Sequence, residues 1–407
     1  MNSVPRIALG LALALGGSLA AAPIAAQTQG GQAAALDKQE RAALQALKTA
    51  IEAKDYTAAA GALPAAQAAA RSGYGRYLAS ALQLRLGLET KNYGLQASAI
   101  DAMVSSGAAP AAALPELYKN QGALAVSAGQ PDKAEQAFTR WTEIAPDDTD
   151  ALLALAEVKA ARKNVAEEVA LIDRAIKARK AAGQPVPESW YKRGLKQAFD
   201  AKLAPATIAF SHDLVAAYPT ADNWRDALLI SRDLAPQDQA ATLDLLRLLR
   251  GAKAMGGDRD YYQLADALTK AGLGAEATAV LDEGIAAKMV DPTQGQVKDL
   301  LASAKRRVTS AAALKTLESK AASATSGAAA MEAADAFFSN GDYAKAGALY
   351  RSAIQKGSVD ADLANSRLGM ALALAGQKAE AETALRAVAG SRTNLASLWL
   401  VWLEQRG

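Results

Sequence analysis

A recurrence of close to 34 residues constrains this chain more than any other feature, because a repeat of that length fixes the whole architecture. With residues 115–148 taken as one unit, Tyr118, Gly122, Ala134, Phe138 and Pro146 fall at unit positions 4, 8, 20, 24 and 32. A unit starting at 187 places Trp190, Gly194, Ala206 and Phe210 at positions 4, 8, 20 and 24, with Pro219 one residue past position 32. Starting at 258, the same places hold Tyr261, Ala265, Ala277 and Leu281. Starting at 327, Ala334, Phe337, Gly341-Asp342-Tyr343, Ala346, Tyr350 and Ala353 fit, and from 362 Gly369, Gly376, Ala381 and Leu385 do.

These residue types have physical tasks. A bulky residue at position 4 fills the space between two helices, and small residues at 8 and 20 let their backbones approach. An aromatic at 24 is expected to seal one pair against the next, and proline at 32 ends the second helix because it has no N–H to donate. Weaker copies surround Lys54-Asp55-Tyr56, with Ala59 and Leu63 as positions 20 and 24, and Lys91-Asn92-Tyr93; residues 149–182 and 224–256 are helical by period but fit poorly. In the unit at 115, Ala125 at position 11 and Trp141 at position 27 depart from the pattern.

The pattern resembles the tetratricopeptide (TPR) repeat, closely in about five units and partly in most others. That resemblance implies an all-α, TPR-type helix-pair solenoid, superhelical, of roughly nine to eleven pairs in one or two lobes. Composition agrees: 51% of residues are hydrophobic but only 5% aromatic, and the excess is alanine, which suits closely packed helices. Strand signals of period two are almost absent.

The N-terminus reads as an export signal. Arg6 supplies a positive start, the stretch from Ile7 to Leu15 with its small-residue continuation supplies a short apolar core, and Ile24-Ala25-Ala26 offers a cleavage site before Gln27. The domain reading is a signal peptide over 1–26, a flexible Gln/Gly/Ala leader over 27–36, a helical array over 37–301, a hinge or linker over 302–330, and a C-terminal TPR pair with a terminal helix over 331–407. The 302–330 stretch is set apart by its Ser, Thr, Ala and Gly content and its scarcity of large apolar residues. After cleavage no segment is long and apolar enough to span a membrane, and the expected location is the periplasm.

Chemistry is hard to place on this chain. Cysteine is absent, which excludes disulfides, thiolate metal sites and a thiol nucleophile. The single histidine, His212, reads as a partly exposed helix residue, and no zinc-binding spacing exists. Gly256-Gly257 and Gly272-Leu273-Gly274 lack the lysine and the preceding strand of a phosphate loop and read as turns. Lys+Arg number 45 against 42 Asp+Glu, so the excess of positive charge that marks a nucleic-acid binder is missing. The expectation is a non-enzyme with no metal or cofactor.

Function is therefore sought on the inner wall. In TPR arrays positions 2, 5, 9, 12 and 13 of the first helix face the groove, which the resemblance assigns here to Glu188, Tyr191, Leu195, Ala198 and Phe199, then Arg259, Tyr262, Asp266, Thr269 and Lys270, then Met331, Asp335 and Phe338. Tyr191, Leu195, Phe199, Tyr262 and Phe338 are the expected partner contacts, since aromatic residues supply most binding energy at interfaces. Phe338 adjoins Phe337, and a register shift of one residue would put it in the core. Lys119-Asn120 matches one corner of a carboxylate-gripping TPR clamp, but Ala123 and the neighbouring units do not complete it. The terminal helix carries Trp399 and Trp402 three residues apart. It is read as packing back onto the last unit, with partner docking or homo-oligomer formation as alternatives.

The signal sequence and the alanine-rich, cysteine-free repeats are similar to exported TPR proteins of proteobacteria. The stretch holding Trp190-Tyr191, Tyr218-Pro219, Asn223-Trp224 and Asp244-Leu245-Leu246 is similar to TPR proteins associated with TonB-type energy transduction. The implied function is a periplasmic scaffold or adaptor for protein partners of the cell envelope. A binding module for a small ligand or peptidoglycan fragment is the alternative.

Overall fold

The computed structural model describes residues 36–234 and 238–406. The signal segment and all but the last residue of the leader lie outside the described residues. No strand occurs among the described residues, which form helices joined by short turns. They divide into two compact units, one ending at Val186 and the other beginning at Pro187.

The first unit contains α1 (Lys38–Glu52), α2 (Tyr56–Ala69), α3 (Gly73–Glu89), α4 (Tyr93–Ser105), α5 (Leu114–Ser127), α6 (Pro131–Ile144), α7 (Thr149–Ala161) and α8 (Val165–Ala181). Each helix packs on the next in the chain, so α1 to α8 form four successive pairs. Residues 149–182, a poor match by sequence, form the fourth pair. Side chains of Asp37, Asp55, Ser72, Asn92, Asp148 and Asn164 cap α1, α2, α3, α4, α7 and α8 by accepting backbone N–H groups of the first turn.

The second unit contains α9 (Glu188–Asp200), α10 (Ala204–Ala217), α11 (Ala221–Leu234), α12 (Gln239–Gly251), α13 (Asp258–Lys270), α14 (Gly274–Ala286), α15 (Gly295–Arg306), α16 (Ala311–Ser323), α17 (Ala328–Ser339), α18 (Tyr343–Lys356), α19 (Ala361–Leu374), α20 (Lys378–Arg386) and α21 (Thr393–Glu404). Regular pairing holds for α9 with α10, α13 with α14, α17 with α18 and α19 with α20. Residues 302–330 hold the end of α15, all of α16 and the start of α17. Within α16 only Ala321 is buried, which accounts for the weak apolar signal there, yet the helix packs along α17. The boundary between compact units falls at Val186/Pro187, inside the stretch read from sequence as one array.

The small residue at position 8 has a definite role in three pairs. A Cβ added at Gly122 would lie 2.2 Å from Cε1 of Phe138, and at Gly194 2.3 Å from Cε1 of Phe210. At Gly369 it would lie 2.5 Å from Cγ of Leu385. Position 24 therefore covers position 8 of its own pair, a closer engagement than the inter-pair seal expected from sequence.

The turn inside each pair repeats one backbone device. Lys54, Lys91, Lys163 and Lys202 have φ near +57°, and Gly129, Gly272, Gly341 and Gly376 hold the same left-handed position in other pairs. The N–H of Lys54 reaches the Ile51 carbonyl and that of Asp55 the Ala50 carbonyl, both at 3.0 Å, which satisfies the last carbonyls of α1. An L-residue with a Cβ is strained there by about 1 kcal/mol or more. Each of Lys54→Gly, Lys91→Gly, Lys163→Gly and Lys202→Gly is accordingly expected to stabilise its unit by about 0.5 kcal/mol, after the entropy that glycine gains in the unfolded chain is subtracted. Urea midpoints measure this, and a fall in midpoint for all four would contradict the reading.

Candidate partner-binding surface

On α9, Tyr191, Leu195 and Phe199 recur every four residues and so form one stripe along the helix. The stripe rises out of the core. Tyr191 is 1% exposed and meets Tyr218 edge-on at 6.2 Å between ring centroids. Leu195 is half-buried, and Phe199 keeps 46% of its surface in solvent. The expectation of an open groove position is corrected for Tyr191, because its ring is enclosed by packing. Along the solvent side of α9, Lys192 pairs with Glu188 at 2.9 Å and Lys196 with Asp200 at 2.5 Å.

Tyr262 is half-buried at the edge of a shallow cavity of about 200 Å³. Asp258, Arg259, Asp291, Gln294 and Val297 complete most of its lining, so Tyr262 presents its ring beside polar and charged groups. Phe338 is a second correction. It is 3% exposed, lies edge-on to Tyr343 at 5.1 Å, and has the Arg247 guanidinium 4.4 Å from its ring centroid. Adjacent Phe337 is also buried, so both rings of the pair belong to the core.

Trp399 and Trp402 are also corrected as a docking face, since both are buried and stack edge to face at 5.1 Å. Helix α21 packs back on α20 and α19, as read from sequence, and also on α10 at the start of the same unit. Asn394 donates from Nδ2 to Ser231 Oγ at 2.7 Å. Its Oδ1 therefore accepts from Nε2 of His212 at 2.6 Å. At the other end of α21, Gln405 donates to the Val215 carbonyl at 2.7 Å and accepts from the Trp224 indole at 3.2 Å. His212 is half-buried on α10, as read from sequence, and burial lowers its pKa against the opposing hydrogen bond to Asn394.

One cluster was missed entirely by the sequence reading. Asp244 of α12 is fully buried and meets three arginines: Oδ1 accepts from Arg247 at 3.1 Å, and Oδ2 from Arg367 and Arg392 at 3.3 Å each. Each arginine has a second carboxylate. Arg247 grips both oxygens of Glu276 at 2.9 and 2.6 Å, Arg367 both oxygens of Asp335 at 2.9 and 2.8 Å, and Arg392 both oxygens of Asp238 at 3.1 and 3.2 Å. Asp335, expected in the groove, also accepts from the buried Tyr350 hydroxyl. Burial alone would push the Arg247 and Arg367 guanidiniums down, but the surrounding carboxylates hold both above their ordinary value. Burial and Asp335 raise Tyr350 well above the usual phenol range.

The signal for this cluster was present in α12. Leu243, Leu245, Leu246, Leu248 and Leu249 are all buried, so the helix is apolar around its circumference, and the charges at 244 and 247 must enter the core and find partners there. Every charge in the cluster is paired, which makes it a structural lock between α12, α14, α17, α19 and the turn before α21.

Among the described residues no group of three or more His, Asp or Glu side chains is placed to hold a metal ion. No described helix is long and apolar enough to cross a membrane.

The helix pairing and the close seat of position 24 on position 8 decide the architecture. The chain folds as an all-α, tetratricopeptide-type helix-pair solenoid. No protein-family model and no curated protein matches this TPR-type chain. Among solved structures it is similar to the TPR2AB domain of yeast Sti1 in complex with pHSP90, at 13% identity over 72% of this chain and 100% of that one, with a TM-score of 0.24. It is also similar to Naa15/Naa10 bound to HypK-THB, at 12% identity over 88% of this chain and 65% of that one, with a TM-score of 0.30. Yeast Tom70 is similar at 14% identity, 81% and 88% coverage and a TM-score of 0.23. At these scores the TPR-type assignment rests on the chain's own helix geometry.

Proposed function

We propose that the protein is an exported, non-enzymatic TPR-type scaffold that holds protein partners of the bacterial cell envelope, and that it grips them through Leu195 and Phe199 of α9 and Tyr262 of α13. The observation that carries this reading is the exposure of Phe199. The chain has five phenylalanines, and Phe138, Phe210, Phe337 and Phe338 are all buried. Phe199 alone among them leaves a large apolar face in water, contiguous with Leu195 one turn away, on a helix whose flanking charges are already paired. Such a stripe with a polar rim is the chemistry of a protein contact. A helix-pair solenoid offers many surface positions of this kind and few closed pockets.

Export rests on the Arg6 to Ala26 signal pattern, and a link to TonB-type energy transduction rests on the similarity of the stretch from Trp190 to Leu246. Both are finer parts of the same proposal. The mature chain is expected to start at or near Gln27 and to appear in the periplasmic fraction.

Phe199→Ala is expected to leave the melting curve nearly unchanged while weakening partner capture by about 2 kcal/mol if Phe199 is a hot spot. Tyr191→Ala, which removes a core ring, is expected to lower the melting temperature. Circular dichroism melts run beside quantitative capture assays separate the two. A Phe199→Ala protein that melts like wild type and holds every partner as tightly removes the assignment of α9.

A further inference from the structure

We propose that the last three helices of the second unit form a ligand site of their own, which takes a small amphiphilic anion: a carboxylate carried on a short apolar chain. The site is built by α19, α20 and α21. It goes beyond the protein contact proposed for α9 and α13 and does not depend on it.

A cavity of about 360 Å³ opens where the end of α19 and the start of α20 meet the last turn of α21. Its wall is apolar. Ala373, Trp402 and Leu403 line it while each is more than nine-tenths buried, and half-buried Leu374 joins them. The charge around this wall has one sign only. Lys378 and Arg406 are the charged residues of the lining, both are exposed, and no carboxylate stands among the lining residues to pair them.

The two cations are placed for a ligand more than for the fold. Lys378 is the first residue of α20, the helix end at which the backbone dipole disfavours positive charge. Arg406 is anchored, with its guanidinium 4.5 Å from the centroid of the Trp402 ring. Stacking of this kind occupies the face of the guanidinium and leaves its in-plane N–H groups able to donate to an acceptor. A bound anion would pair both cations and remove their mutual repulsion.

The chemistry of the occupant follows from the lining. A neutral apolar molecule would leave the cations unpaired, and an inorganic anion would leave the apolar wall wet. An anionic head on an apolar chain meets both needs. The cavity lies near the small end of the range for ligand pockets, about 300–1,000 Å³, so the chain is short.

The test is isothermal titration calorimetry on the full-length protein, with octanoate as the probe and acetate and octan-1-ol as controls. Octanoate is expected to saturate one site. Acetate, which lacks the chain, and octan-1-ol, which lacks the charge, should each bind about ten-fold or more weakly. Lys378→Gln and Arg406→Gln each remove one cation from an exposed position, so both variants should keep the wild-type circular dichroism spectrum and lose about ten-fold in octanoate affinity. Lys38→Gln on α1 of the other unit lowers the net charge equally and should change nothing. Absence of saturable octanoate binding, equal binding of acetate or octan-1-ol, or unchanged octanoate affinity in either cavity variant would each overturn the proposal.

Discussion

Replacing Asp244 with alanine is expected to destabilise the second unit by about 3–5 kcal/mol, the usual cost of removing one partner from a buried ion pair. The loss is large because Asp244 is shared. Without it Arg247, Arg367 and Arg392 each keep one carboxylate, in Glu276, Asp335 and Asp238, but three guanidiniums then converge on a dry site with nothing between them. Water cannot easily replace the lost charge, since Asp244 is completely buried. Asp266→Ala serves as the control. Its partner Lys270 is an exposed neighbour on the same helix at 2.7 Å, so this change should cost about 0.5 kcal/mol or less. Urea denaturation followed by circular dichroism compares the two, and equal midpoints would show that the cluster does not hold the unit together.

The second large effect is expected at Gly122. Gly122→Ala should cost about 1–3 kcal/mol through overpacking, because Phe138 is itself buried and its ring cannot yield without moving its neighbours. The protein carries its own compensation. At the equivalent places α13 and α14 combine Ala265 with Leu281, both fully buried. Adding Phe138→Leu to Gly122→Ala should therefore recover part of the loss, giving a coupling of opposite sign to the single change. Gly194, seated under Phe210 in the second unit, should behave alike. If Gly122→Ala melts like wild type, the register of the whole repeat is misplaced.

These two sites mark what a single sequence can and cannot carry. The position 8 and position 24 relation lies within one helix pair, at a fixed separation that repeats along the chain, so it is legible as a period. The left-handed turn residue is legible where it is glycine and hidden where it is lysine, because the φ value is imposed by the helix pair and not by the side chain. The Asp244 cluster has no such period. Asp244 meets Arg367 and Arg392 across 123 and 148 residues, and neither arginine differs in type from those on the surface.

Depth along a helix is illegible for a related reason. Tyr191, Leu195 and Phe199 share a face by spacing alone, but how far that face is covered depends on what packs beside it. Sequence thus placed the stripe and misjudged Tyr191. For Phe338 and Tyr262 the same ambiguity ended in a core ring and a half-buried one. The terminal helix was read as packing back, which it does, but its reach to α10 joins residues about 180 apart in the chain and has no local signature.

The claim that the chain holds protein partners through α9 is tested most directly by placing a photoreactive phenylalanine analogue at position 199 of the full-length protein in the cells that produce it. Irradiation is expected to give discrete adducts of higher mass from position 199. The same analogue at Tyr93, an aromatic that is 65% exposed on α4 of the other unit, should give none of them. Absence of adducts at 199, or the same set from both positions, would contradict the account.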